Sequence, residues 1–334
     1  MSHIIHLLGP HLSVRLSREQ LVVFNRDTKS EKTVALEDIA VLVCAAADAS
    51  FTAGALRRLS ELNVPVLHCN DRFEPCAITV PYHRATQTEL LRAQVTWTPQ
   101  AKDALFRRII CTKVTNQAAN LKGKDADALR QIAIRCQRGA FREPEAPRPG
   151  KLISTITVGR RAELHADTPA ACESRAARLY WRKIIPPLSP LLGLTERVRQ
   201  SGTRQGVNGM LDYGYAIIRS AVLRSLAARG FIAALGIHHM PRAGSFALAD
   251  DLMEPLRPFV DRALNRFVKS SAQPEMSLWI REAAALLFDR VRMASGEVRL
   301  LHAIDAYIQS FASAVLRQQA DLLRVPILKP LTEE

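Results

Sequence analysis

The first clear pattern in the chain is the stretch Leu12-Ser13-Val14-Arg15-Leu16-Ser17, in which apolar and polar side chains alternate. This two-residue period is typical of a β-strand with one buried face. Further predicted strands, rich in Val, Ile and Leu, lie at 20–24, 32–36, 39–43, 64–68 and 76–80. A short helix is predicted from Thr52 to Leu62, because Leu56, Leu59 and Leu62 share one face. These segments predict a small β-rich N-terminal domain.

The pattern changes near residues 81–84. From Glu89 onward, apolar residues recur every three or four positions, which indicates amphipathic helices. Long helices are predicted over 170–185, 210–229, 256–268, 277–292 and 301–323. The proline-rich segment 142–150 is predicted to be an exposed loop. The predicted fold class is therefore α+β, with a small β-sandwich-like domain over residues 1–84 and a larger all-α domain over residues 85–334.

Charge and cysteine content limit the class of protein. Lys and Arg outnumber Asp and Glu by 46 to 32, which gives a net charge of +14. This excess favours nucleic acid as a partner, although a basic surface that only aids solubility is an alternative. Neither a signal peptide nor a run of 18 apolar residues is visible, so we expect a cytoplasmic protein without a membrane span.

The cysteines lack a CxxC pair and are predicted to be buried reduced thiols rather than zinc ligands: Cys44, Cys69, Cys76, Cys111, Cys136 and Cys172.

A second informative region combines a histidine, carboxylates and an arginine beside an apolar run. Asp251, Glu254 and Arg257 are spaced three residues apart, so they share one face if the segment is helical. Pro255 and Pro258 predict a helix start or kink here, because proline is tolerated mainly in the first turn of a helix. Such a break would direct these side chains into a cleft.

His239 and Glu173 extend this set of polar groups. His239 follows the apolar run that contains Gly236, a residue that permits a close approach of the backbone. Glu173 lies on a predicted helix with three arginines around it, Arg175, Arg178 and Arg182. These arginines either form ion pairs with the acid or bind phosphates while Glu173 binds a metal ion. Two carboxylates and an imidazole suit magnesium or manganese better than structural zinc. The spacing alone leaves open whether Glu173 meets His239 in space.

Four motifs follow one another along the chain: Glu173-x-x-Ala176-Ala177-Arg178-x-Tyr180, Asn208-x-x-Leu211-Asp212-Tyr213-Gly214-Tyr215, Gly236-x-x-His239 and Leu248-Ala249-x-Asp251-Leu252-Met253-Glu254-Pro255-x-Arg257-Pro258. Together they resemble the CRISPR spacer-acquisition integrase family (Cas-one), over nearly the whole chain. The resemblance implies a metal-dependent DNA endonuclease and integrase that inserts short foreign DNA, the spacers, into a CRISPR array. It also implies a homodimer paired through the β domain, double-stranded DNA substrates (protospacer and CRISPR repeat) and a small dimeric partner protein.

The resemblance further implies which residues carry the chemistry. Glu173, His239 and Glu254 match the catalytic ligands of Mg²⁺ or Mn²⁺, with Glu254 standing where many members have aspartate. The bound ion would promote attack of a 3′-hydroxyl on a phosphodiester at the repeat boundary. The neighbouring His238 is the alternative imidazole ligand, but the motif favours His239. Residues that support the site or contact DNA by the same comparison are Asp251, Asn208, Tyr213, Arg178 and Arg257.

Other interpretations stay open at this point. Asp251 could cap the following helix, and Tyr213 and Tyr215 could be core residues. Arg178 and Arg257 could pair with acids instead of phosphates. At the level of function, the alternatives are a branched-DNA repair nuclease and a non-catalytic DNA-binding subunit of the same fold.

Overall fold

The computed structural model describes residues 3–70, 75–80, 87–139, 167–185, 206–239, 246–271, 273–294 and 296–331. Its N-terminal part contains eight strands among these residues: β1 (His3–Leu7), β2 (Leu12–Ser17), β3 (Gln20–Asn25), β4 (Ser30–Ala35), β5 (Ile39–Cys44), β6 (Ser50–Phe51), β7 (Val66–Cys69) and β8 (Pro75–Thr79). One helix, α1 (Ala53–Glu61), lies between β6 and β7. The predicted strands and the predicted helix are thus confirmed, and β1 and β6 are additions.

The strands form two four-stranded sheets, ordered β1-β5-β7-β8 and β4-β3-β2-β6. In the first sheet β1, β5 and β7 run parallel, whereas β2, β3 and β4 of the second sheet are antiparallel neighbours. Alternation along β2 buries Leu12 and Val14 and exposes Arg15, as its two-residue period predicts. Both sheets contribute to one core, which also includes Leu59 of α1.

The C-terminal part is mainly helical. Its helices are α2 (Gln87–Thr96), α3 (Pro99–Ala118), α4 (Gly123–Arg138), α5 (Pro169–Ile184), α6 (Gly206–Arg229), α7 (Ala247–Met253), α8 (Arg257–Ser270), α9 (Met276–Ala285) and α10 (Leu300–Arg317). They share a large core in which Tyr180, Trp279, Tyr307 and Phe311 are fully buried. Val41, Val43 and Leu67 of the first sheet join this core, so strands and helices are packed together. The domain boundary after residue 84 falls among residues outside the described ranges and stays a prediction.

Two helix predictions near the C-terminus need correction. The helix predicted to reach Arg292 ends at Ala285, and two antiparallel strands follow, β9 (Arg290–Met293) and β10 (Gly296–Arg299). In β9 Val291 and Met293 are buried while Arg290 and Arg292, which alternate with them, are exposed, which is a strand pattern. Helix α10 stops at Arg317 rather than residue 323, because Gln318 adopts a left-handed conformation with φ of 52°. The predicted loop 142–150 lies outside the described residues.

The cysteines are all free thiols, as predicted, but they are not all buried. Cys44, Cys136 and Cys172 are buried, Cys69 and Cys111 are half-buried, and the expectation was wrong for Cys76, which is exposed on β8. None of the helices described is both long and apolar enough to cross a membrane.

Candidate active site

Helix α5 presents Glu173 from its first turns. Thr168 caps the helix by accepting a hydrogen bond from the amide of Ala171 at 3.3 Å, and Pro169 occupies the first turn, where its missing N–H costs nothing. The apolar face of α5, which includes Cys172 and Ala176, is buried in the core. Glu173 lies beside this face, with its side chain 29% exposed.

A break between two helices presents Glu254. Helix α7 ends at Met253, a single 3₁₀ turn covers Glu254–Leu256, and α8 begins at Arg257. Pro255 lies in the first turn of the 3₁₀ segment and Pro258 in the first turn of α8. The helix break predicted from these prolines is confirmed. It places the Glu254 side chain, only 6% exposed, beside the first turn of α8.

His239 lies on the loop that follows α6, and Asp251 holds this loop in place. The carboxylate of Asp251 accepts hydrogen bonds from the amides of Ile237 at 2.6 Å, His238 at 3.0 Å and His239 at 3.2 Å. Gly236 is needed for this packing, because a Cβ there would lie 2.6 Å from the carbonyl oxygen of His239 and 2.9 Å from Oδ2 of Asp251. Asp251 is therefore a buried anchor of the histidine loop rather than a helix cap.

The same carboxylate orients the imidazole of His239. Oδ1 of Asp251 lies 2.6 Å from Nδ1 of His239, which leaves Nε2 as the nitrogen available to a ligand. This hydrogen bond raises the pKa of His239, although partial burial opposes the shift. The neighbouring His238, an exposed residue, stacks its ring on Phe106, with ring centroids 4.2 Å apart.

Lys113 of α3 joins the two acids. Its Nζ lies 2.5 Å from Oε1 of Glu173 and 2.5 Å from Oε2 of Glu254, residues that are 60 and 141 positions away in the chain. All three side chains line a cleft of about 300 Å³. The described residues that line this cleft are Lys113, Gln117, Glu173, Ala177, Trp181, Tyr215, His239, Glu254, Arg257 and Asp261. The structure thus places Glu173, His239 and Glu254 in the lining of one cleft.

Arg257 is the second cation at Glu254. Its Nε lies 2.9 Å from Oε1 of Glu254, and its guanidinium lies over the ring of Tyr215, 4.7 Å from the centroid. Burial alone would raise the pKa of Glu254, but the charges of Arg257 and Lys113 outweigh it and hold that pKa below its ordinary value. Glu254 is therefore ionised at neutral pH.

Asp261, one turn further along α8, is a buried acid of the cleft that sequence analysis missed. Tyr180 donates to its Oδ2 at 2.8 Å and Tyr215 donates to its Oδ1 at 2.5 Å. Asn120 in turn donates to the Tyr180 oxygen at 2.8 Å. This network links the turn that follows α3 with α5, α6 and α8, behind the acidic groups. Burial and the nearby charge of Asp261 raise the pKa of Tyr180 well above its ordinary value, so Tyr180 acts as a neutral donor.

The remaining predicted residues lie away from the cleft lining. Asn208 is buried near the start of α6, and Tyr213 is half-buried against the helical core. Arg178 is exposed on α5. Conversely, Lys113 and Tyr215 line the cleft and were not predicted as site residues. The available signal for Lys113 was its position between the apolar residues Ile110 and Val114 on a helix, where a lysine is costly unless its charge is paired.

The donor set of the cleft suits a divalent cation. Two carboxylates already converge on a single positive charge, the ammonium of Lys113, and an imidazole nitrogen supported by a carboxylate lies in the same cleft. Among the residues that the structure describes, no three His, Cys, Asp or Glu side chains lie close enough together to hold a metal ion. At this cleft the ammonium of Lys113 lies between the two acids.

Comparison with known proteins identifies the family. The family model described as CRISPR associated protein Cas1 matches residues 5–294 of the 334-residue chain. The chain is a member of the Cas1 family. A Cas1 endonuclease of Neisseria meningitidis is 29% identical over 327 residues, which are 95% of this chain and 94% of the relative. A Cas1 endonuclease of Hyperthermus butylicus is 29% identical over 73% of this chain and 71% of its own length.

Solved structures show the same fold. A Cas1 protein from Thermotoga maritima superposes with a TM-score of 0.69 over 99% of this chain and 100% of its own, at 14% identity. A casposase bound to an integration product superposes with a TM-score of 0.71 over 95% of this chain and 91% of its own, at 17% identity. The strand-rich N-terminal part and the larger helical part of this protein are thus the Cas1 architecture.

Proposed function

We propose that this Cas1 protein is a divalent-metal-dependent DNA endonuclease and integrase. It inserts short foreign DNA into a CRISPR array, by attack of a 3′-hydroxyl on a phosphodiester at the repeat boundary. The observation that carries the proposal is the convergence of Glu173 and Glu254 on one positive charge, in a cleft that His239 also lines. The relatives named endonucleases and the fold neighbour bound to an integration product support it.

The residues of the cleft have distinct roles in this proposal. Glu173, Glu254 and Nε2 of His239 would hold Mg²⁺ or Mn²⁺, which supplies Lewis-acid stabilisation of the charge that develops on the phosphodiester. Asp251 orients the imidazole and fixes its tautomer through Nδ1. Arg257 keeps Glu254 ionised.

The proposed partners follow from charge and from the fold neighbours. A net charge of +14 suits double-stranded DNA, both the protospacer and the CRISPR repeat. Arg178 and Arg182 are exposed on α5, the helix that carries Glu173, and they could contact phosphates beside the cleft. A fold neighbour at 18% identity belongs to a Cas6-RT-Cas1–Cas2 complex. We propose an analogous assembly of a homodimer, paired through the β domain, with a small dimeric partner.

An integration assay tests the proposal. The protein and its small partner are incubated with a short duplex carrying free 3′-hydroxyls, a plasmid with leader and repeat, and Mn²⁺ or Mg²⁺. We expect joined products that disappear with chelator and with Glu173→Ala or His239→Ala, whereas Glu282→Ala, on the exposed face of α9, serves as the active control.

The other outcomes discriminate between functions. Cleavage of branched DNA without any joined product would indicate a repair nuclease. DNA binding without cleavage or joining would indicate a non-catalytic subunit. Undiminished joining by the Glu173 or His239 variant would refute the assignment of the ligands.

A further inference from the structure

Lys113 occupies an unusual position for a lysine. Its side chain is only 10% exposed, and its helix neighbours Ile110 and Val114 are buried in the core. A buried ammonium is costly unless opposite charges surround it. Here both charges come from the predicted metal ligands, because Nζ lies 2.5 Å from a carboxylate oxygen of Glu173 and of Glu254.

The ammonium balances the charge of the two acids. Glu254 has a second cation in Arg257, which binds its other carboxylate oxygen at 2.9 Å. Among the residues that the structure describes, Glu173 forms its ion pair with Lys113. Without an intervening positive charge, two carboxylates directed at the same point repel each other and separate. Lys113 therefore keeps Glu173 and Glu254 close together in the metal-free protein.

A divalent ion would need the same carboxylate oxygens that now face the ammonium. Two cations cannot share contact distance with both acids without strong repulsion. We propose that Lys113 is the resident counter-cation of the metal-free cleft, which holds Glu173 and Glu254 together and is displaced when a divalent ion binds them. The inference rests on the proposed metal dependence. The four-carbon stem of lysine allows such a displacement, because it is flexible and carries a single compact charge.

This role and a purely structural role predict opposite changes in metal affinity when Lys113 is removed. If Lys113 only supported the fold, its loss would disorder the acids and weaken metal binding. If Lys113 competes with the metal ion, its loss removes the competitor and strengthens metal binding. The affinity for metal in the absence of DNA therefore separates the two roles.

The test compares the wild-type protein with Lys113→Met, which keeps the length of the side chain and removes its charge. Mn²⁺ binding is measured by calorimetry without DNA, and Glu173→Gln identifies the signal of this site. We expect Lys113→Met to bind Mn²⁺ at least about fivefold more tightly, at the lower end of typical coupling between two ligands. In the presence of chelator, Lys113→Met should have a lower melting temperature than the wild type. Added Mn²⁺ should raise the melting temperature of Lys113→Met by more than it raises that of the wild type.

Lys183→Met is the matched control. Lys183 lies on the same helix as Glu173 but forms an exposed ion pair with Asp125 at 3.0 Å. Its substitution should leave Mn²⁺ affinity unchanged. Equal or weaker Mn²⁺ binding by Lys113→Met would overturn the inference. Absence of Mn²⁺ binding by the wild type would instead overturn the proposed metal dependence, and the inference with it.

A measurement on the wild-type protein covers the case in which Lys113→Met does not fold. Lysines are acetylated with acetic anhydride, with and without saturating Mn²⁺, and modification at each lysine is quantified by mass spectrometry. Release of Lys113 from its two carboxylates should increase its acetylation when Mn²⁺ is bound, while that of Lys183 stays constant. Unchanged acetylation of Lys113 in the metal-bound protein would contradict its displacement.

Discussion

Asp251 accepts a hydrogen bond from Nδ1 of His239 at 2.6 Å while it also binds the backbone amides of the loop that carries this histidine. One buried carboxylate thus sets both the position of the loop and the orientation of the ring. The arrangement resembles the support that carboxylates give to metal-binding histidines in general. It makes Asp251 a residue on which both stability and activity depend.

Substitution Asp251→Ala should therefore affect both properties. Loss of the carboxylate leaves several loop amides without their acceptor, so we expect the free energy of unfolding to fall by about 3 kcal/mol. Strand transfer should fall by about 10- to 100-fold, the usual effect of removing the support of a metal-binding histidine. Urea denaturation and the integration assay measure the two effects. Asp127→Ala, which breaks only an exposed pair with Arg130, is the control, and equal behaviour of both variants would contradict the role of Asp251.

Glu254 and Glu173 should differ in their contribution to the stability of the metal-free protein. Glu254 is 6% exposed and pairs with both Lys113 and Arg257, whereas Glu173 is 29% exposed and pairs with Lys113. Removing one partner of a buried pair leaves uncompensated charge, so Glu254→Gln should cost about 3 kcal/mol. Glu173→Gln should cost about half as much, because water can reach its surroundings. Urea unfolding in chelator measures both, and a larger loss for Glu173→Gln would reverse the expected order.

The pH dependence of stability should report on Glu254. Burial would raise the pKa of Glu254, but Arg257 and Lys113 lower it below the ordinary 4.5. The unfolded chain therefore binds a proton that the folded protein does not, so the stabilisation is complete above the ordinary pKa and is lost as the pH falls below it. We expect the free energy of unfolding to decline below pH 4.5 more steeply in the wild type than in Glu254→Gln. Parallel pH profiles for the two proteins would show that Glu254 does not contribute to the pH dependence of the free energy of unfolding.

Asp261 should be important for the packing of the cleft. Its two oxygens accept from Tyr180 and Tyr215, and an asparagine can accept through only one of them. We expect Asp261→Asn to lower the free energy of unfolding by about 2 kcal/mol, because one buried hydroxyl loses its acceptor. Asp321→Asn, at an exposed position near the C-terminus, should have no measurable effect. Denaturation curves of the two variants measure the difference. An unchanged free energy of unfolding for Asp261→Asn would show that the hydrogen-bond network adapts without loss of stability.

DNA affinity should depend steeply on salt. The net charge of +14 implies that several phosphates are neutralised on binding and that their counterions are released. If about six phosphates are contacted, affinity should fall by about a thousandfold between 50 and 200 mM salt. Fluorescence anisotropy with a labelled duplex measures the slope. A flat salt profile would show that the basic surface does not contact the DNA backbone.

Local patterns predicted most of the elements. The alternation in β2 and the three- and four-residue spacing of α5, α6 and α8 each record which side of an element is buried. The wrong helix prediction at residues 290–292 has the same origin, because a four-residue strand such as β9 is too short for its period to be distinguished from that of the preceding helix. Likewise, α10 ends because Gln318 adopts a left-handed backbone conformation, which a glutamine side chain does not predict.

By itself, the sequence determined the strand and helix periods, the helix break at Pro255 and the motifs that place the chain in the Cas1 family. It could also single out Glu173, His239 and Glu254, through resemblance. Only the tertiary structure revealed that Lys113 lies between two acids. It also revealed that Asp251 accepts hydrogen bonds from the loop of His239 and that Asp261 accepts them from two tyrosines. The reason is physical: a local period shows which face of a helix is buried, but the charge that meets Lys113 comes from residues 60 and 141 positions away, and only packing of the helices brings them together.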